Sequence, residues 1–492
     1  MSKFNWGMRA CGIFLLWAAT AAALPAQSFT TIYTFTGSNF TYDYSGLVQG
    51  SDGNLYGTTE SGGNSNGGIV FKITPNGLLT TLYNFCSLPN CADGQSTVGG
   101  ALILATDGNF YGTTELGGTV TTSDCEYSGC GTVFRVTPGG TLTTLHSFGL
   151  GTDGQFPQGG LVQGTDGNFY GTAIQGGSSQ ICLDRGSIGC GAIFKITPSG
   201  ELTTLYSFCP QGYGCSDGEF PNGVIQGSDG NFYGTTSAGG NTSNGTVFRI
   251  TAGGKLTTLY SFCNQKPCID GSEPLAGLVQ GGDGNFYGTT YGGGNDYGTV
   301  FKITPTGNLT TLARFCPHRY ACRDGTAPLA SLIQATDGNF YGTSYGGRRT
   351  DSGTIYEITS SGEFRTVYRF PNSNLASGPR AALVQRTDGR FFGTTYGAKG
   401  YTDATIFRLD ESLTPFVKTI PTSGAIGSAV NILGTNLTDA TSVTFHGTPA
   451  TFTVVSSSEI TTTVPTGATT GTVKVVTPIG TLSSNAPFTV TP

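Results

Sequence analysis

The sequence predicts an all-β protein, a seven-bladed β-propeller followed by a smaller β-sandwich. Three observations predict it. A turn motif, "SDGNLYGTT" at Ser51 and "TDGNFYGTT" at Thr106, returns in close copies at Thr165, Ser228, Gly282, Thr336 and Thr387. Gly supplies 79 of the 492 residues, while charged residues supply only 11%, the profile of an exported β-protein with many tight turns. After the N-terminal segment no stretch has a convincing helical period, and apolar residues alternate instead.

Residues 1–26 read as a secretory signal peptide. Lys3 and Arg9 precede an apolar run from Cys11 to Leu24, with the small residue Ala26 at the expected cleavage point. The run is short for a membrane span and no second one follows. The mature chain is therefore expected to be secreted or held at the cell surface, without membrane insertion, and monomeric.

The propeller is expected over residues 27–413. The repeated Asp stands at 52, 107, 166, 229, 283, 337 and 388, intervals long enough for one four-stranded blade. In the fifth copy "AGLVQG" is the first strand and Asp283-Gly284 a two-residue type I′ turn. "NFYGTTY" is the second strand, "GTVFKIT" the third and "LTTLARF" the fourth. The seventh copy reaches its third strand, "TIFRL", and then stops. At the other end "FTTIYTF" (Phe29 to Phe35) matches the fourth-strand pattern, so it is expected to close the ring as the outer strand of the last blade. The Asp-Gly pair supplies turn chemistry, and the following Phe-Tyr pair is expected to pack between blades. No cofactor is expected: Ca²⁺ needs about six to eight oxygen ligands, and each turn offers one carboxylate.

Apart from Cys11, the cysteines fall into close pairs: Cys86-Cys91, Cys125-Cys130, Cys182-Cys190, Cys209-Cys215, Cys263-Cys268 and Cys316-Cys322. Local pairing in an exported chain reads as six small disulfide loops. The formal net charge of −6 gives no reason to expect a nucleic-acid partner.

The long pattern "LVQGTDGNFYGTT…GTVFKITP.G.LTTLYSF" resembles the bacterial GloVer-type, choice-of-anchor tandem repeat over about Phe29 to Leu409. The resemblance implies an exported bacterial propeller, often with a C-terminal sorting anchor. The end "FTVTP" has neither the apolar tail nor the basic residues of such an anchor. From residue 414 to 492 the chain changes character. "PFVKTIPTSGAIGSAVNILGTNL" resembles the opening of an IPT/TIG domain through Pro421, Ser423, Gly424, Gly427, Val430, Ile432, Gly434 and Asn436, which implies an immunoglobulin-like sandwich acting as spacer or binding platform. His446 is read as a surface residue on a strand edge.

Function is sought on the face that carries the long connections, because all six cysteine pairs fall there and stiffened, variable loops on a rigid scaffold are where recognition sits. One candidate set is a ring of channel-mouth carboxylates, Asp43, Asp93, Asp153, Asp217, Asp270 and Asp324. The competing reading is a duplicated Asp-Gly turn. A second set departs from the repeat. Eleven of the fifteen Arg lie between Arg314 and Arg408, and the residue after the second strand becomes Tyr291, Tyr345 and Tyr396 where earlier copies have Glu60, Glu115, Ile174 and Ser237. With His318, Arg319, Tyr320, Arg348, Arg349 and Arg380 these make a candidate ligand patch for a sugar or an anionic glycan. No catalytic pair, triad or elbow motif can be assembled. The expectation is thus a non-enzymatic propeller binding a glycan or an extracellular protein. A lyase-like enzyme centred on His318 and a structural envelope component are the alternatives.

Overall fold

The computed structural model describes residues 27–36, 45–120, 125, 129–149, 152–179, 182, 189–210, 214–316, 322, 324–346, 353–371, 378–396 and 403–491. The expected signal segment lies outside them. Strands account for nearly all regular structure; the one helical element among the described residues is a single 3-10 turn at Pro89–Cys91.

Each repeat forms one four-stranded antiparallel sheet in simple meander order. The third runs Val162–Gln163, Phe169–Ala173, Ala192–Ile196 and Leu202–Ser207. The last is completed as the sequence suggested. Ser28–Thr34 pairs antiparallel with Thr405–Asp410, which pairs with Phe391–Thr395 and then Val384–Gln385. The arrangement is propeller-like, and its seams explain the repeat.

The Asp-Gly turn differs from the type I′ expectation. In the first copy the Gly53 N–H donates to Gly50 O and the Gly50 N–H to Asn54 O, and Gly53 has φ +76° while Asp52 keeps an ordinary negative φ. This is a three-residue loop, a type I turn followed by a left-handed glycine. Asp takes the αR position because its carboxylate then faces back along the chain. Asp52 Oδ1 accepts the Asn54 N–H at 3.1 Å, and Oδ2 accepts Asn54 Nδ2 and the Tyr56 hydroxyl at 2.7 and 2.9 Å. The same Asp–Tyr bond recurs at Asp107–Tyr111, Asp166–Tyr170, Asp229–Tyr233, Asp283–Tyr287 and Asp337–Tyr341, between 2.7 and 2.9 Å. Type I′ geometry occurs elsewhere, at His446-Gly447, where both residues have positive φ. His446 therefore begins a turn rather than lying on a strand edge, and its Nδ1 meets Thr469 Oγ1 at 2.8 Å.

Each tyrosine so held stacks on the phenylalanine of the next sheet. Tyr56 lies 4.1 Å from Phe110, Tyr111 4.0 Å from Phe169, Tyr170 3.9 Å from Phe232, Tyr233 3.9 Å from Phe286 and Tyr287 3.8 Å from Phe340. A second aromatic seam joins the end of each fourth strand to the third strand of the next sheet: Phe85 on Phe134, Phe262 on Phe301, Phe370 on Phe407 and, from the N-terminal strand, Phe35 on Phe71. The order of contacts thus returns to its start.

The seventh copy breaks the pattern. Phe392 stands where the others have Tyr, the turn Asn becomes Arg390, and Arg386 enters before the turn. Asp388 now pairs with Arg386 and Arg390, and Arg386 Nε donates to Gly53 O of the first sheet at 3.0 Å. Nearby, Arg365 bridges Glu357 and Glu411 at 2.7 and 2.8 Å. Part of the late arginine bias is therefore a lock at the closing seam and not a ligand patch.

The C-terminal residues form two four-stranded sheets over one core. The first contains Lys418–Ile420, Ala429–Leu433, Glu459–Thr463 and Phe452–Ser456; the second contains Thr448–Ala450, Ser442–Phe445, Val473–Thr477 and Gly480–Ser483. Val430, Ile432, Val443, Phe445, Ile460, Val473 and Phe488 fill the space between. This module rests on the short-turn face: Ser458 Oγ donates to Ser51 O at 2.6 Å, and Thr435 meets Thr387 at 3.0 Å.

Burial pushes the carboxyls of Asp107, Asp166, Asp229 and Asp283 up, but hydrogen bonds from the turn Asn and the Tyr outweigh it and hold all four below the ordinary carboxylate range. Depressed folded values mean stability that is present above the unfolded pKa of about 4 and lost as pH falls through the folded values. Calorimetry should show the melting temperature dropping steeply below about pH 4; a flat profile between pH 4 and pH 2.5 would contradict this account of the turns. At the seam, Arg386→Ala removes a charged hydrogen bond between the last and first sheets and should cost roughly 2 kcal/mol in urea unfolding, whereas no change would remove the seam lock.

Candidate functional site

The residue that follows each second strand comes to the same place in every sheet, on the face of the long connections. Six disulfides brace that face, each closing one of the predicted pairs. The sulfurs of Cys182, Cys190 and Cys215 lie within 4.8 Å of one another, where two disulfides abut. As disulfide sulfurs they supply no thiolate to a metal.

The carboxylate ring does not form. Asp93, Asp217 and Asp270 turn outward to the fourth strand of the preceding sheet, taking hydrogen bonds from the hydroxyls of Tyr83, Tyr206 and Tyr260 at 2.8, 2.9 and 2.8 Å. Asp93 also accepts the N–H groups of Ser87 and Leu88, so burial that would raise its pKa is outweighed and it is held low. Asp153 meets His146, which stands where other copies have Tyr, at 3.1 Å. Among the described residues the Asp324 carboxylate takes a long bond, 3.4 Å, from Thr366, its copy having Ala313 at the tyrosine position. These are loop anchors; Asp43 lies outside the described residues.

Two of the tyrosine positions lie together with Arg380. Tyr345, Tyr396, Glu60 and Glu115 follow the second strands of the sixth, seventh, first and second sheets, which are consecutive around the closed arrangement. Arg380, on the connection entering the seventh sheet, lies between the two tyrosines, its guanidinium carbon 4.0 Å from the Tyr345 ring centroid and 4.1 Å from that of Tyr396. The rings themselves meet edge-on at 6.4 Å. One face of each is thereby covered, and both tyrosines are half-buried. Tyr291, the next position along, is open, at 43% exposure, and beside it Leu275 is 38% exposed. His318, Arg319, Tyr320, Arg348 and Arg349 fall outside the described residues.

The acids of this arc appear in the sequence only as the background from which the tyrosines depart. Burial, reinforced by the neighbouring Glu115 charge and opposed by Arg380, pushes the Glu60 carboxyl up to about 7. Burial also raises Glu115, against hydrogen bonds from Gln158 and Ser96; the Gln158 amide reaches Glu115 Oε1 at 2.6 Å. Glu60 Oε2 is buried without a hydrogen-bond partner. The arc therefore combines aromatic surface, a fixed guanidinium and two acids of different environment, one of them titrating near neutrality.

A profile of the Gloeobacter/Verrucomicrobia repeat matches residues 21–183, 92–278 and 265–453. The chain belongs to this repeat family. No curated protein matches it. Among solved structures it is similar to the extracellular domain of a putative hybrid two-component system from B. thetaiotaomicron, at 10% identity over 93% of this chain and 58% of that one, with a TM-score of 0.47. It is also similar to the PQQ-bound aldose sugar dehydrogenase of Streptomyces coelicolor, at 14% identity over 78% and 98% of the two chains, TM-score 0.38. A Dyadobacter fermentans protein of unknown function gives 10% identity over 77% and 97%, TM-score 0.42. The position that carries Glu60, Glu115, Tyr345 and Tyr396 varies among the copies of this chain, with Ile174 and Ser237 in the third and fourth.

A raised carboxyl pKa makes stability fully present below the unfolded value of about 4.3 and lost as pH rises through the folded one. Glu60→Gln should therefore raise the melting temperature at pH 8 and leave it unchanged at pH 4. Equal shifts at both pH values would show that Glu60 is not held in the protonated form.

Proposed function

We propose that this protein is an exported seven-bladed β-propeller with an IPT/TIG-like module at residues 414–492, and that it binds glycans through the mouth on its disulfide-braced face. The observation that carries the reading is the arc in which Arg380 is fixed between Tyr345 and Tyr396 beside Glu60 and Glu115. Aromatic surface covers the apolar faces of sugar rings, while carboxylates and the Gln158 amide accept and donate to hydroxyls. The arc's one guanidinium is already held between two rings, and its acids are at least partly neutral, so a neutral, hydroxyl-rich glycan fits better than a uronate polymer. The disulfides support an extracellular setting.

A second reading is favoured by a specific observation. Glu60 and Glu115 are paired acids whose environments differ, the arrangement from which general acid and base roles are built. It moves the enzyme alternative from His318 to the arc and from elimination to hydrolysis.

Glycan-array binding of the chain from Gln27 tests both. Neutral glycans should bind, and Tyr396→Ala and Arg380→Ala should each weaken them at least tenfold. Bound glycans incubated with the protein should yield no new reducing ends; if they do, and Glu60→Gln abolishes the release, the hydrolytic reading replaces the binding one. No binding to any glycan would overturn both.

A further inference from the structure

The C-terminal module rests unevenly on the short-turn face. Ser458, Asn431 and Thr435 bond to Ser51, Thr106 and Thr387, which belong to the turns of the first, second and seventh sheets. Over the following sheets a cavity of about 540 Å³ opens between module and repeats. Val162, Ile225 and Val279 line its floor, and Ile420, Pro421 and Pro487 its roof.

The lining contains no charged side chain. An ion placed there would lose its hydration with no counter-charge to replace it. Polar groups are present but already fixed. The Gln163, Gln226 and Gln280 carbonyls accept the N–H of the preceding sheet's turn at 3.0, 2.9 and 2.9 Å, and their amides donate to their own turn glycine at 3.2, 3.2 and 3.1 Å. The floor is therefore rigid, and a ligand need not immobilise it. The inner strands are sheet edges, so one side of their backbone remains for hydrogen bonding to an occupant. The volume falls in the range of about 300–1,000 Å³ typical of small-molecule sites, which favour interfaces between domains.

We propose that this cavity is a binding site for an uncharged small molecule with an apolar body and a few hydroxyl or carbonyl groups. It lies on the face opposite the tyrosine arc and does not depend on the glycan reading. Gly282 gives a clean test. A Cβ there meets nothing closer than Gln334 Oε1 at 3.8 Å, and the other copies carry Ser or Thr at this place, so Gly282→Trp fills the cavity from the floor without backbone strain. Thr422→Trp fills it from the roof.

Nile red, a neutral carbonyl-bearing dye, should bind the chain from Gln27 saturably at one site. Anilinonaphthalene sulfonate, an anion of similar size, should bind at least tenfold more weakly. Each filled variant should weaken Nile red at least tenfold with an unchanged melting temperature, and if one variant melts early the other decides. No saturable Nile red binding, equal affinity in the folded filled variants, or equal binding of the anion would each overturn the proposal.

Discussion

The stack of each turn-held tyrosine on the phenylalanine of the next sheet is the contact on which the rest of the structure depends. A tyrosine ring free to rotate would pack poorly against a neighbouring sheet; the Asp carboxylate four residues upstream fixes its hydroxyl and so fixes the ring. Tyr170, held by Asp166, meets Phe232 at 3.9 Å and an interplanar angle of 28°. Such pairs contribute about 0.5–1.5 kcal/mol each beyond burial, and here one recurs at seam after seam. A sheet with an exposed aromatic flank is insoluble alone, so each repeat requires the next, and the N-terminal strand brings Phe35 onto Phe71 where the order closes.

Exceptions to the repeat mark what the scaffold is built to carry. In the seventh copy arginines replace the Asp–Tyr bond with ion pairs, and Arg386 ties the turn to the first sheet. Where the second copy has Leu104 in place of the turn-clamping Gln, the Ser51 turn is contacted by Ser458 of the C-terminal module instead. On the opposite face the same relaxation of the pattern assembles the arc of Tyr345, Tyr396, Glu60 and Glu115. Scaffold positions repeat because every seam needs them; the arc positions are free to diverge because no seam uses them.

Much of the fold was legible in the sequence, since strand alternation, the orphan strand at Phe29 and the local cysteine spacing are all short-range signals. The turn type was not, because Asp-Gly suits a type I′ turn and a type I turn with a left-handed glycine alike; the seventh copy keeps the second form even with Phe392 in place of the tyrosine. The channel-mouth Asp ring failed for a related reason: the partners of Asp93 and Asp270 are tyrosines ten residues earlier, on the outermost strand. Of the candidate patch, Arg380, Tyr345 and Tyr396 lie in contact, a grouping the composition bias alone did not specify. Glu60 and Glu115 were visible only as a contrast, because the burial of their carboxyls and their closeness to Arg380 are set by how the loops fold onto the sheets.

A double-mutant cycle between Asp166→Ala and Phe232→Leu tests the central claim most directly, because Tyr170 bonds to the one and stacks on the other. Urea unfolding of the two single variants and the double variant should give a coupling of at least about 0.5 kcal/mol, since a freed tyrosine no longer stacks on whatever follows. Strict additivity would mean that the repeated aspartate serves its own turn alone and does not hold one sheet to the next.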